Sequence, residues 1–217
     1  MLRSFLSLWL EFPCPLCNRI AERTVCEYCT DKIWSYRLDE PWQNWQGSLP
    51  LFAWGRYDGE LKLAIAKLKY NNQPEVGTLL GEWLGKSWRQ NNRVLSKIRP
   101  IVVPIPLHRV KQQARGYNQA ELIARGFCNL TCYSLANKAV VRIKDTKPMF
   151  GLTPSQRTNN LDGAFALSKS WQTKPPKRPI LLIDDIYTQG TTVKEVTKLL
   201  QGHQIEVIGV ITVALAR

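Results

Sequence analysis

Ile180-Leu-Leu-Ile-Asp184-Asp185-Ile-Tyr-Thr188-Gln189-Gly190-Thr191-Thr192 is the stretch that decides how the rest of the chain is read. Four apolar residues without alternation fit a strand covered on both faces, as in a parallel sheet. Two carboxylates, Asp184 and Asp185, follow at the strand's C-terminal end, where open α/β sheets bind ligands. The Thr/Gly-rich turn then opens a helix from about Thr191 to Leu200, with Val193, Val196, Leu199 and Leu200 on one face. Backbone N–H groups at such a helix start, with threonine hydroxyls and the helix dipole, favour a phosphate monoester. Adjacent carboxylates suit the vicinal hydroxyls of a ribose, or a metal. No lysine follows the glycine, so this is not the G-x-x-x-x-G-K-[ST] nucleotide loop, and it is not G-x-G-x-x-G either. The bland alternative is a buried strand ending in a solvated acidic turn.

Working outward, similar apolar runs recur. Leu51–Tyr57, Ile101–Val103, Ala139–Ile143 and Ile205–Ala214 read as further strands. Helical spacing covers residues 59–69, 76–90 and 118–128, with Asn71-Asn72-Gln73-Pro74 breaking the first from the second. Buried strands alternating with helices predict an α/β domain with a mainly parallel sheet flanked by helices. Residues 34–50, with Trp34, Trp42 and Trp45, read as a connector packed by aromatics.

Four of the six cysteines fall in a short stretch, Cys14-Pro-Leu-Cys17 and Cys26-Glu-Tyr-Cys29. Paired C-x2-C turns place four thiolates around one ion, which suits structural zinc. Asn18 stands where a left-handed residue helps the first turn, a geometry that Asn tolerates. The alternatives are disulfides, disfavoured without a secretion signal, and a redox C-x-x-C, which needs only one pair. A closed four-sulfur site leaves no open position for chemistry. Cys128 and Cys132 read as buried or free thiols.

Leu2, Phe5, Leu6 and Trp9 share one helical face, and no small-residue cleavage site follows them, so residues 1–10 read as a docked amphipathic helix and the protein as cytoplasmic. No apolar run approaches the ~20 residues of a membrane-spanning helix. The formal net charge of +13 is unevenly placed. Residues 1–45 hold five basic and six acidic side chains, whereas residues 86–125 hold nine Lys and Arg against Glu121 alone. The asymmetry predicts a near-neutral head, residues 1–45, and a basic body, residues 46–217, suited to a polyanionic partner.

The stretch 180–192 resembles the PRPP-binding motif of type I phosphoribosyltransferases. Val103-Pro-Ile-Pro-Leu-His108-Arg109, then Arg115-Gly-Tyr-Asn-Gln119, and Arg157 followed by Asn160, Gly163, Ala164 and Phe165, narrow the match to the ComF family of phosphoribosyltransferase-like proteins. Those proteins also begin with a four-cysteine zinc segment. One departure is visible: that family often has Thr-x-Pro-Gln before the Arg157 segment, and here Met149 follows Thr146-Lys-Pro148.

The resemblance implies a type I phosphoribosyltransferase-like fold with a small zinc-binding head. It implies that Asp184 and Asp185 are catalytic and hold the ribose of PRPP, and that Thr188, Gln189, Gly190, Thr191 and Thr192 grip its 5′-phosphate. Pro104–Arg109, including Pro106, Leu107 and His108, would form the pyrophosphate turn, and residues 110–118 a mobile loop. Arg109, Lys111 and Arg115 give that segment the cations a diphosphate needs. His108 reads as structural. Mg2+ would accompany PRPP, since its oxygens are hard ligands. Members of the family are associated with DNA uptake in natural transformation, which implies single-stranded DNA and DNA-uptake proteins as partners. Three activities stay open: a transferase with a small-molecule acceptor, a non-catalytic PRPP sensor, and a single-strand-handling protein using charge and stacking.

Overall fold

The computed structural model describes residues 12–43, 49–91, 98–144, 156 and 160–216. The N-terminal helix expected over 1–10, Trp45, Thr146, Pro148, Met149 and Arg157 lie outside the described residues.

The centre is a sheet of six strands. In chain order they are β3 (Trp42–Gln43), β4 (Leu51–Arg56), β5 (Ile101–Pro104), β6 (Ser134–Leu135), β9 (Ile180–Tyr187) and β10 (Val207–Leu215). Their spatial order is β3-β4-β10-β9-β5-β6, parallel throughout except for β3 against β4. The expected α/β class with a mainly parallel, helix-flanked sheet is what forms. Arg178 ties the entry end together: its guanidinium donates to the carbonyls of Arg99 and Pro100 and to the Ser134 hydroxyl at 2.9–3.1 Å.

The strands are apolar on both faces because both faces are covered. Leu181 and Ile183 of β9 join a core built from α2 (Gly59–Tyr70), α3 (Pro74–Asn91) and α5 (Gln119–Thr131). Beyond the short α6 (Lys169–Thr173), Ile180 and Leu182 face the other way, into a core with α7 (Thr191–Gly202) and the hairpin of β7 (Val140–Arg142) and β8 (Phe165–Leu167). Ala139–Ile143, expected as a strand of the domain, thus pairs in a separate two-stranded ribbon. It is short and carries an exposed Val141 and Ile143, so it cannot serve as a buried central strand.

Helices α3 and α5 cross at backbone contact. A Cβ on Gly81 would lie 2.1 Å from the Ile123 carbonyl oxygen, and one on Gly126 would lie 2.1 Å from that of Thr78. Only hydrogen fits at either position.

The N-terminal head contains the ribbon of β1 (Phe12–Pro13) and β2 (Ile20–Ala21), followed by α1 (Glu27–Trp34). Its buried residues Val25, Cys29 and Ile33 belong to the same core as α2 and α3. Trp34 meets the edges of Trp54 and Trp83 at ring-centroid distances of 5.9 and 5.7 Å. Lys32 reaches Glu60 of α2 at 3.4 Å. The β3–β4 pairing also spans the boundary expected at residue 45.

The segment expected as a mobile loop contains helix α4 (Arg109–Arg115), which ends at Gly116 with φ 86°. Its Lys, Gln, Ala and Arg side chains lose little rotamer freedom in a helix. No helix among the described residues is long and apolar enough to cross a membrane.

Candidate functional site

Strands β5 and β9 are neighbours, yet their crossover helices lie on opposite faces: α5 follows β5 on one side and α7 follows β9 on the other. The crevice between their carboxyl ends is a topological switch point, the usual ligand position in open α/β sheets. Ile105 extends β5 by donating its N–H to the Ile183 carbonyl at 2.9 Å. The turn Pro106–His108 therefore leaves the sheet beside the residues that precede Asp184.

Asp184 and Asp185 lie within β9, not beyond it, and differ in their surroundings. Asp184 is partly buried and lines a concavity with Thr188, Gly190, Thr191 and Thr192. Its Oδ1 accepts the Asp185 N–H at 2.8 Å. Burial and the adjacent Asp185 raise its pKa well above the usual carboxylate range, against the opposing pull of the Asp185 N–H and of Lys69. Asp185 is 4% exposed. Its Oδ1 accepts the Ile186 N–H at 2.8 Å, and its Oδ2 lies 2.7 Å from Lys69 Nζ. Burial disfavours the Lys69 ammonium, but Asp185 and then Asp184 overcome this, so its pKa is raised.

Gly190 sits at φ 68°, ψ 12° as the N-cap of α7 and supplies no side-chain cap. The amides of the first helical turn thus have no acceptor within the helix. A Cβ on Gly190 would lie 1.7 Å from the Tyr187 hydroxyl, so the turn is packed down on a tyrosine that is itself 6% exposed. Thr188 and Gln189 are exposed, and Thr191 and Thr192 half-buried. The structure brings Asp184 and four of the five expected phosphate-loop residues to one concavity; Asp185 and Gln189 do not line it.

On the β5 side, Pro106, Leu107, His108, Lys111 and Arg115 are partly buried and Arg109 is exposed. Arg115 donates to Gln119 Oε1 and lies over the Tyr70 ring, 5.7 Å from its centroid. Asn118 holds this side in place. It is 7% exposed, its Oδ1 accepts the Ala120 N–H to cap α5, and its Nδ2 donates to the Ile105 carbonyl at 3.0 Å. Tyr117 donates its hydroxyl to the Leu68 carbonyl at 2.6 Å, next to Lys69. Sequence reasoning assigns no role of their own to Lys69, Asn118 and Tyr187, which shape this crevice. An Asn just before an apolar-periodic helix is a legible cap signal; a lysine on an amphipathic helix carries no mark of its burial.

In the head, the Sγ atoms of Cys14, Cys17, Cys26 and Cys29 all lie within 4.8 Å of one another. A tetrahedral ion with metal–sulfur bonds of ~2.3 Å sets its sulfurs about 3.8 Å apart, so the cluster fits structural zinc. All four are free thiols, so no disulfide competes for them. Asn18 adopts φ 61° and its N–H bonds the Cys14 carbonyl at 2.8 Å, the left-handed turn expected from sequence. Burial raises the Cys14 thiol, but hydrogen bonds from the Cys26, Leu16 and Cys17 backbone outweigh it and lower the pKa to about 7.

Competence protein F of Haemophilus influenzae is 33% identical over 157 residues, covering 72% of this chain and 68% of that protein. The chain belongs to the ComF family. DNA utilization protein YhgH of Escherichia coli K12 is 26% identical, with 86% of this chain and 83% of that protein covered. Competence protein ComFC of Bacillus subtilis is 24% identical, over 82% and 67%. No family model matches the chain. Among solved structures, a hypoxanthine phosphoribosyltransferase from Staphylococcus aureus aligns with TM-score 0.38 and 16% identity, covering 64% of this chain and 62% of that one.

Proposed function

We propose that this ComF-family protein binds PRPP with Mg2+ in the crevice between β5 and β9 and serves DNA uptake or use, as the names of its relatives suggest for those proteins. The observation that carries the reading is the concavity where Asp184 meets the uncapped start of α7. A carboxylate there suits ribose hydroxyls, and the amides and hydroxyls of Gly190–Thr192 suit the 5′-phosphate. Arg109, Lys111 and Arg115 follow the neighbouring turn and suit the pyrophosphate. Mg2+, when bound, would neutralise phosphate charge, with Asp184 a suitable hard oxygen donor. The cysteine cluster holds one structural zinc.

Isothermal titration with PRPP and Mg2+ tests the reading. Saturable binding supports it, and none at millimolar PRPP overturns it. In transfer, an acceptor nucleophile bonds to the ribose C1 as the C1–oxygen bond breaks and its electron pair leaves on pyrophosphate. Pyrophosphate release that requires an acceptor marks a transferase; binding without release marks a sensor.

A role on single-stranded DNA is supported by the basic stretch 86–125, in which Lys86, Arg89, Arg99 and Arg109 are exposed. Its log affinity for single strands should fall with log salt by roughly 0.7 for each phosphate neutralised. A salt-independent affinity would remove this role.

A further inference from the structure

We propose that the outward face of α2 is a track for single-stranded nucleic acid, in which Tyr57 and Tyr70 stack bases and Lys62, Lys67 and Arg115 meet phosphates. The inference rests on the single-strand reading above. To the cations of 86–125 it adds the rings that such a partner needs.

Leu61, Ala64, Ile65 and Leu68 turn one side of α2 into the core. On the other side Lys62, Ala66 and Tyr70 share a ridge at four-residue spacing, with Leu63 and Lys67 beside it. Lys62, Leu63 and Tyr70 are exposed. Tyr70 is 78% exposed, the highest value among the described large apolar side chains. Its ring gains almost nothing from the core, at a position where a small polar residue would serve the helix as well. No free carboxylate offsets the lysines. Glu60, the one acid of α2, meets Lys32 of the head at 3.4 Å, and Asp58 accepts the Gly59 N–H as the helix cap.

Each tyrosine is paired with a cation. Lys62 Nζ lies 5.7 Å from the Tyr57 ring centroid, and the Arg115 guanidinium 5.7 Å from that of Tyr70. A ring for the base and a charge for the phosphate are the two contacts that hold a single strand without reading its sequence. A duplex hides its base faces and an acidic peptide has none, so the combination favours a single strand over either. The two rings stand at the two ends of α2, whose 12 residues span about 18 Å, the length of a few nucleotides. Tyr57 follows β4 and donates its N–H to the Leu215 carbonyl of β10 at 2.9 Å. Tyr70 adjoins Lys69, which meets Asp185 of β9 at 2.7 Å. The track therefore borders the carboxyl end of the sheet, and a strand lying on it passes the mouth of the crevice.

The test uses the full-length, metal-loaded protein and a labelled oligothymidylate, followed by fluorescence anisotropy over a range of salt, with thermal unfolding of each variant alongside. Tyr70→Ala should weaken binding roughly fivefold to a hundredfold and leave the salt slope unchanged, because it removes stacking and no charge. Tyr70→Phe keeps the ring and should bind within threefold of the parent. Lys62→Gln should instead flatten the log–log salt slope by roughly 0.7. All three positions of change lie on the surface, so each variant should melt like the parent. A folded Tyr70→Ala variant that binds like the parent overturns the track, as does a Tyr70→Phe variant that loses as much as Tyr70→Ala. A second measurement needs no variant: an abasic strand of the same length should bind the parent at least fivefold more weakly than oligothymidylate. Equal affinity for the abasic strand, or for a duplex, overturns the stacking role. Polyglutamate that competes as well as unlabelled oligothymidylate assigns the face to an acidic protein and overturns it too. A parent that binds no oligothymidylate at low salt defeats the single-strand reading itself, a result distinct from every variant outcome.

Discussion

The cysteine cluster and the end of β9 both crowd ionisable groups into little space, and they resolve the crowding in opposite ways. In the head, four thiols converge, their Sγ atoms all within 4.8 Å of one another. Burial raises the pKa of Cys26 and of Cys29, and at Cys29 the neighbouring cysteines add to the shift, so an ion from outside would favour these two as thiolates. At the sheet end the chain supplies its own cation, Lys69, but only for one of the two acids. The first arrangement is closed and yields stability; the second is half closed and leaves a group under electrostatic pressure where a ligand can relieve it.

The largest effect should come from the closed site. Structural zinc contributes on the order of 10 kcal/mol to finger-sized units. Metal analysis should find about one zinc per chain, and Cys26→Ser should lose it. The head and body share a core, so the loss should also disturb near-ultraviolet circular dichroism from Trp34, Trp54 and Trp83. Two disulfides in place of metal would dissolve the contrast between the two regions.

Lys69→Met comes next. Removing one partner of a buried pair costs about 3–5 kcal/mol. In a chain of this size that is a fall in Tm of roughly 6–20 °C, at about 2–4 °C per kcal/mol. A change within a degree would mean that the pair is solvated and that both acids share one environment.

Gly190→Val should act on binding more than on folding. A side chain at φ 68° is strained and would drive into Tyr187, at a cost of order 1–3 kcal/mol, displacing the α7 amides. Calorimetry should show PRPP affinity down at least tenfold. Undiminished affinity would separate the phosphate from this turn.

The smallest effect should be a change of pH profile. The Asp184 pKa is raised in the folded state by burial and by Asp185, so the native state binds the extra proton above the ordinary carboxylate pKa of about 3.9. Stability should therefore fall as pH rises from there through the folded pKa, and stay reduced above it. Asp184→Asn should flatten that decline and melt slightly higher than the parent at pH 7, even as it loses ligand affinity. A steeper decline in the variant would show that Asp184 is stabilised as an anion.

Much of this was legible in the chain itself. Bare apolar runs marked β4, β5, β9 and β10, because strands covered on both faces need no polar row. The order strand, acids, Thr/Gly turn, helix is the order that β9 and α7 follow. Asn18 announced a left-handed turn that forms. The rest was hidden for physical reasons. Val140–Arg142 has strand composition, but composition does not say which sheet a strand joins. Residues 110–118, a mobile loop by the family resemblance, include good helix formers, and a helix forms over Arg109–Arg115. Lys69 shares its helix with two other lysines, Lys62 and Lys67, and only its ion pair with Asp185 of β9 distinguishes it.

The glycine crossing of α3 and α5 has a consequence for how this protein tolerates mutation. The α5 N-terminus carries Asn118, which sets the Ile105 carbonyl and so the turn that follows β5. Gly126 is eight residues further along the same helix, about 12 Å away at 1.5 Å per residue. Any methyl group added at Gly81 or Gly126 must lever the helices apart, and α5 is a stiff rod with the turn after β5 at its far end. The heritable weak point of the site is therefore remote from it. A search for changes that disturb the crevice, confined to its own lining, would miss the fulcrum.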